Sequence, residues 1–373
     1  MKPLELYIHI PFCIQKCLYC DFRSAPSTKE ERQEYVLELC RQIRTYRKTA
    51  GDYHIVSIFV GGGTPSILEG EQIRGIFGAI RETFVVDEDA EITIEMNPGT
   101  VTEEKLKVYR EAGIDRLSIG LQSAENEELK ILGRIHTYEE FLDTYRLARE
   151  MGFGNVSVDL MSAIPGQTAA GWEKTLRKVA GLRPEHISAY SLIIEEGTPF
   201  YEKYGKARDD ADALRDDPLP DEEEERQMYR STKKILGEYG YQQYEISNYA
   251  LPGYECRHNL GYWERTEYRG YGLGAASLLG QVRYTNQTEL TEYLKGNTRG
   301  TSEPLTEQAV REEYFFLGLR KTDGVPLGAY GAHYEELIKK LTAQQLLEER
   351  DGRIRLTDRG IDVSNYVLAQ FLD

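Results

Sequence analysis

The sequence predicts an α/β fold of six βα units followed by a smaller domain. Two observations carry that reading. Short apolar, β-branched segments alternate with helical patterns up to about residue 195, and such alternation folds by parallel pairing with right-handed crossovers, into an open doubly wound sheet or a barrel. Polar and glycine-rich segments recur just after the strands, at the carboxyl ends where ligands gather in either architecture.

In chain order, the expected strands are Leu4–Ile10, Ile55–Val60, Glu91–Met96, Arg116–Gly120, Val156–Leu160 and His186–Ile193. Between them, helical periodicity marks Lys29–Arg47, Glu69–Thr83, Glu103–Glu111, Tyr138–Met151 and Ala170–Ala180. Three cysteines follow the first strand and Gly61-Gly62-Gly63-Thr64-Pro65 the second. Glu95 and Asn97-Pro98-Gly99 close the third, Gln122 follows the fourth, Asp159 ends the fifth, and Glu195-Glu196-Gly197-Thr198-Pro199 follows the sixth.

Beyond an acidic run (Asp209 to Asp212 and Asp216 to Glu225), read as a solvated loop and helix face, the pattern changes. A Tyr-rich region spans residues 240–285, helical segments lie near Thr306–Lys321 and Tyr334–Glu349, and Asp351–Thr357 reads as a hairpin before a last helix. The tail resembles a winged helix. The expected division is a barrel domain over 1–220 and an α+β domain over 221–373.

Composition narrows the function. The formal net charge of −16 argues against a broad nucleic-acid surface, including one for DNA at the tail or for modification of RNA. Apolar residues make up 40%, and no apolar run approaches a membrane span. The N-terminus leads straight into a strand pattern with no signal peptide, which points to the cytoplasm. Five cysteines, three of them clustered, suit a reducing compartment rather than a disulfide framework; Cys40 reads as a packed thiol.

The cluster is the sharpest signal. Cys13, Cys17 and Cys20 have Cys-x3-Cys-x2-Cys spacing with no fourth cysteine nearby. Structural zinc wants four ligands, whereas an iron–sulfur cubane held by three thiolates keeps one iron open. His9 could complete a zinc site, but it lies on the strand itself. Gly61-Gly62-Gly63-Thr64 lets the backbone approach a ligand and lacks the lysine of a phosphate loop. Glu95, Gln122, Arg134 and Asp159 offer polar groups from successive loops, although each alone is more often a salt-bridge partner.

This cysteine loop, with Tyr19 before its last cysteine, resembles the radical SAM superfamily. There the open iron of a [4Fe-4S] cluster is chelated by S-adenosylmethionine. Tyr7-Ile8-His9-Ile10-Pro11-Phe12-Cys13, Gly61 to Pro65, Leu117 to Ser123, Ile164-Pro165-Gly166-Gln167-Thr168 and His258-Asn259-Leu260-Gly261-Tyr262-Trp263 together resemble the oxygen-independent coproporphyrinogen III oxidase family. The resemblance implies a partial (β/α)6 TIM-like barrel with a smaller α+β C-terminal domain. By it, Cys13, Cys17 and Cys20 hold the cluster; Tyr19, Gly63, Thr64, Glu95, Gln122, Arg134 and Asp159 contact S-adenosylmethionine. Tyr7 and Gly62 would face a tetrapyrrole.

Two departures point within that family to a branch of heme chaperones, which bind heme and pass it to acceptor proteins. The oxidases carry a further cysteine two positions after the third, where this chain has Phe22, and a long extension before the first strand, where only twelve residues precede Cys13. The resemblance therefore implies heme as cargo, acceptor proteins as partners, peripheral association with those acceptors at a membrane, and no oxidase activity. Oxidative decarboxylation of coproporphyrinogen III is the alternative. His258, with Asn259, Tyr262 and Trp263, would contact heme, imidazole being its usual iron ligand and Tyr249, Tyr254, Tyr262 and Trp263 supplying flat walls. His258 also reads as a cap over a Tyr-rich core, and Cys256 as an alternative ligand or a packed thiol.

Overall fold

The computed structural model describes residues 1–205, 218–328 and 330–372; Asp209 to Asp212, Asp216 and Asp217 lie outside the described residues. Six parallel strands form its centre: β1 (Lys2–Ile10), β2 (Tyr53–Gly62), β3 (Val85–Met96), β4 (Arg116–Gln122), β5 (Asn155–Ser162) and β6 (His186–Ser191), each paired with the next. Side-chain alternation explains their two-sided burial. On β4, Leu117, Ile119 and Leu121 pack outward in the main apolar core, while Arg116, Ser118, Gly120 and Gln122 line an inner cavity. On β1, Leu4, Leu6, Ile8 and Ile10 join the same core, and the intervening Tyr7 faces the cavity.

The intervening helices begin where their caps say. Thr28 and Thr137 close capping boxes with Glu31 and Glu140, and Thr102 and Thr168 cap the helices Glu103–Glu111 and Ala169–Gly181. Losing one such cap costs about 1 kcal/mol.

The barrel is open. Residues 242–304, grouped by sequence with the second domain, extend the sheet at both edges to twelve strands. Strand Asn248–Ala250 runs antiparallel to β6, and strand Tyr268–Tyr271 parallel to β1. Ala250 pairs with His186 and Tyr268 with Glu5, both at the amino ends of their strands. The connection between them therefore crosses the bottom of the gap, carrying the helix Arg257–Glu264.

A second core gathers Phe315, Leu319, Leu341, Leu347, Ile354 and Phe371 around a three-stranded antiparallel sheet. The helix expected over Tyr334–Glu349 stops at Ala343: Gln345 takes a left-handed backbone (φ 60°), and Leu347–Arg350 becomes a strand paired with Arg353–Leu356. The chain's last helical stretch is split into Asp358–Asp362 and Ser364–Ala369. Among the described residues no helix is long and apolar enough to cross a membrane.

Candidate functional site

A cavity of about 650 Å³ fills the barrel. Its upper wall holds Cys13, Cys20, Tyr19, Gly62, Gly63, Thr64, Glu95, Gln122, Arg134 and Asp159; Tyr7 lines it lower, with His258, Asn259 and Tyr262 at its floor. Every residue expected to contact S-adenosylmethionine faces this one space. Trp263 does not: its ring lies beneath the Arg320 guanidinium, 4.4 Å from the ring centre, outside the cavity lining. Tyr249 and Tyr254 are also absent from the lining.

The cysteine loop is tied to the barrel mouth. Leu18 N–H donates to the Leu132 carbonyl and Phe200 N–H to the Leu18 carbonyl, fastening the loop to the segments after β4 and β6. Arg134 donates to Cys17 Sγ (3.4 Å), to the Asn97 side chain (2.8 Å) and to the Gly120 carbonyl (2.7 Å). Thr64 Oγ1 lies 3.5 Å from Cys13 Sγ. All three thiols are partly exposed and free of disulfides. His9 is spent elsewhere: its Nε2 donates to the Arg23 carbonyl (3.3 Å), so its Nδ1 accepts from the Tyr7 hydroxyl (3.0 Å).

Among the described residues no three His, Cys, Asp or Glu side chains converge as a single ion requires. Three free thiols on one loop suit a multi-iron cluster. The neighbouring wall fits a ligand on that cluster. Gln122 holds a left-handed backbone (φ 68°), unusual for a residue with a side chain, and its Oε1 and the Arg134 Nε are buried without partners. Gly62, at φ 116°, donates its N–H to Glu95 (3.0 Å). Burial, reinforced by the nearby Asp159 charge, pushes the Glu95 carboxyl up to about 8. Burial also raises Asp159, against a hydrogen bond from Ser188 and the charge of Arg116.

Gly63 leaves the loop its room. A Cβ there would meet the Phe12 carbonyl at 2.6 Å and Cys13 Sγ at 3.0 Å. Gly63→Ala is therefore expected to lower iron retention after reconstitution and weaken S-adenosylmethionine binding by roughly tenfold or more, given typical overpacking costs. Gly78→Ala, at a helical site with nothing within 4 Å, provides the contrast and should keep both. Iron analysis and equilibrium dialysis read the difference.

The floor is polar. His258 is fully buried, with Ser57 Oγ 2.8 Å from Nδ1, the Tyr262 hydroxyl 3.1 Å from Nε2, and Phe59 stacked on the ring. Burial, with the charge of Arg116, pushes its imidazole down to about 3. Glu91 accepts from Cys256 Sγ and from the backbone N–H groups of Arg257 and His258, anchoring the helix that carries the motif. Cys256 is thus a packed thiol, and burial pushes it up to about 12. Sequence reasoning missed three floor residues, Glu5, Glu91 and Arg116. Their signal was charge placed inside otherwise apolar strands.

An open six-unit barrel with a three-thiolate loop over its carboxyl end defines the class: this is a radical SAM protein, and residues 7–179 match the radical SAM superfamily. It has a [4Fe-4S] and S-adenosylmethionine site of that class. Residues 305–363 match the HemN C-terminal domain. The chain is 37% identical to the heme chaperone HemW of Bacillus subtilis, covering 98% of each chain. It is 35% identical to that of Lactococcus lactis (100% of this chain, 98% of the relative) and 34% to that of Escherichia coli (100% and 99%). Among solved structures, the coproporphyrinogen III oxidase HemN of Escherichia coli superposes with a TM-score of 0.83 at 25% identity, over 100% of this chain and 90% of that one. The chain belongs to the HemW family.

Proposed function

We propose that the protein is a heme chaperone: it binds heme alongside a [4Fe-4S] cluster and S-adenosylmethionine and hands the heme to acceptor proteins. The observation that carries this is similarity to heme chaperones along essentially the whole chain, barrel, floor helix and C-terminal domain alike. When bound, the cluster and S-adenosylmethionine supply one-electron chemistry at an open iron. The chain's own residues position them. Cys13, Cys17 and Cys20 hold iron, Arg134 takes the methionyl carboxylate, Gln122 Oε1, Glu95 and Asp159 take amine and ribose hydroxyls, and Tyr19 flanks the adenine.

Tyr7, Gly62, Asn259 and Tyr262 contact the cargo, with His258 as the iron ligand once it releases the Tyr262 hydroxyl. Trp263 acts from behind the floor, through the helix it shares with His258. The protein works in the cytoplasm, delivering to acceptors at a membrane surface, and its acidity disfavours nucleic acid.

The test is anaerobic reconstitution followed by heme titration. A Soret band saturating near one heme per chain is expected, and His258→Ala should shift or weaken it. No band in the wild type would sink the chaperone reading; an unchanged band in the variant would remove only the ligand assignment.

The likeness to the oxidase fold sustains a second reading, oxidative decarboxylation of coproporphyrinogen III. Phe22, exposed at the cavity rim where oxidases carry a cysteine, speaks against it. Protoporphyrinogen formation with reductant and S-adenosylmethionine would reverse the ranking.

A further inference from the structure

Arg116 is a buried cation at the floor of the barrel with acidic groups near it but none paired to it. Its residue is 2% exposed, its side chain lines the cavity, and its Nε has no hydrogen-bond partner. The guanidinium's contact is a long one, 3.5 Å from Nη1 to Thr93 Oγ1, and among the described residues no carboxylate forms an ion pair with it within 4.0 Å. A buried charge in that condition is costly unless something pairs with it. Burial works against its proton, and the acidic groups around it, Cys256, Glu91 and Asp159 among them, more than restore it.

The surroundings are those of an anion receptor. The Asn259 amide and the Ser247 hydroxyl share the cavity lining with Arg116, while the Asn248 and Ser188 side chains are engaged by Glu245 and Asp159. Glu5, which could have competed for the guanidinium, is kept neutral by burial, and both ring nitrogens of His258 are taken by Ser57 and Tyr262. The methionyl carboxylate is already provided for near the cysteine loop, where Arg134 holds an unpartnered Nε–H. Arg116 starts β4 and Gln122 ends it, six residues or roughly 20 Å along an extended strand. One small ligand cannot engage both ends with the same carboxylate.

We propose that Arg116 receives a propionate carboxylate of the tetrapyrrole cargo, at a subsite on the barrel floor distinct from that for S-adenosylmethionine. This rests on the heme-cargo reading. The planar fork of arginine matches a carboxylate bidentately, and desolvation strengthens the pair. The apolar ring system then lies against Phe59, Tyr7 and Tyr262 with its second edge toward the mouth.

Titration of the reconstituted protein, in the presence of S-adenosylmethionine, with heme and with heme dimethyl ester tests the assignment. The wild type should bind the free acid about tenfold or more tighter than the ester, the worth of one charge-assisted pair. Arg116→Gln should bind both with the affinity the wild type shows for the ester. Arg116→Lys, which keeps the charge but not the fork, should lose several-fold of the discrimination and serves if the glutamine variant fails to fold. Equal binding of acid and ester by the wild type, or full discrimination in either variant, overturns the proposal while leaving heme as cargo. Failure of the wild type to bind heme in any form overturns both.

Discussion

Cys17→Ser is expected to abolish the brown chromophore of the reconstituted protein completely, while Cys40→Ser and Cys256→Ser retain it. The loop supplies three sulfurs and no fourth, so removing one leaves two, too few to hold a cubane. Cys17 is not redundant with its neighbours: Arg134 grips its sulfur at 3.4 Å and ties it to the Gly120 carbonyl, so no other thiol can swing into its place. The two remaining cysteines are excluded by position and chemistry. Cys40 is buried in the helix Lys29–Arg44, where burial pushes its thiol up to about 11. Cys256 lies under the barrel floor, donating to Glu91. Iron and sulfide analysis together with absorbance near 400 nm reads the result. Equal loss in Cys17→Ser and Cys40→Ser would show that the ligand set is wrong.

The top of this site was legible in the sequence because a βα repeat delivers each strand's carboxyl end to one place. Cys13, Gly62, Glu95, Gln122 and Asp159 are far apart in sequence, yet each sits at or near the carboxyl end of a strand, and topology brings them together. The floor was legible only through Tyr7 and the His258 motif, for the converse reason. The rest of it is made of residues set back from the carboxyl ends of strands, where Glu5, Glu91 and Arg116 interrupt apolar patterns, and of a helix from the far side of the fold. Nothing local announces that Arg257–Glu264 plugs the barrel between β1 and β6. Only the pairings of Tyr268 with Glu5 and Ala250 with His186 fix it there. His258 was read as a heme ligand from its motif. The structure places it in the cavity lining but with both ring nitrogens already engaged, so ligation requires a rearrangement that sequence reasoning could not foresee.

The floor also stores a dependence on pH that Glu5→Gln is expected to remove. Glu5 is 3% exposed, and its Oε2 has no hydrogen-bond partner. Burial pushes its carboxyl up to about 8; a hydrogen bond with Ser57 pulls the other way, and the charges of Glu91 and Glu264 raise it again. The His258 imidazole 3.9 Å away does not offset this, because burial holds it neutral. In the unfolded chain the same carboxyl ionises near 4.5. Between about 4.5 and 8 the native state therefore holds a proton the unfolded state has lost, and folding takes one up. Stability contributed by the protonated carboxyl is complete below the lower value, falls as pH rises through this window, and levels off above the upper one. The fall is on the order of 5 kcal/mol across the window for a group so shifted. Glutamine keeps the shape and cannot ionise. Denaturant midpoints of the metal-free protein at pH 6 and pH 8.5 should thus fall less for Glu5→Gln than for the wild type, with the variant the more stable of the two at pH 8.5. Parallel declines in the two proteins would mean that Glu5 is already ionised in the folded state, and that a cation, Arg116 foremost, answers it.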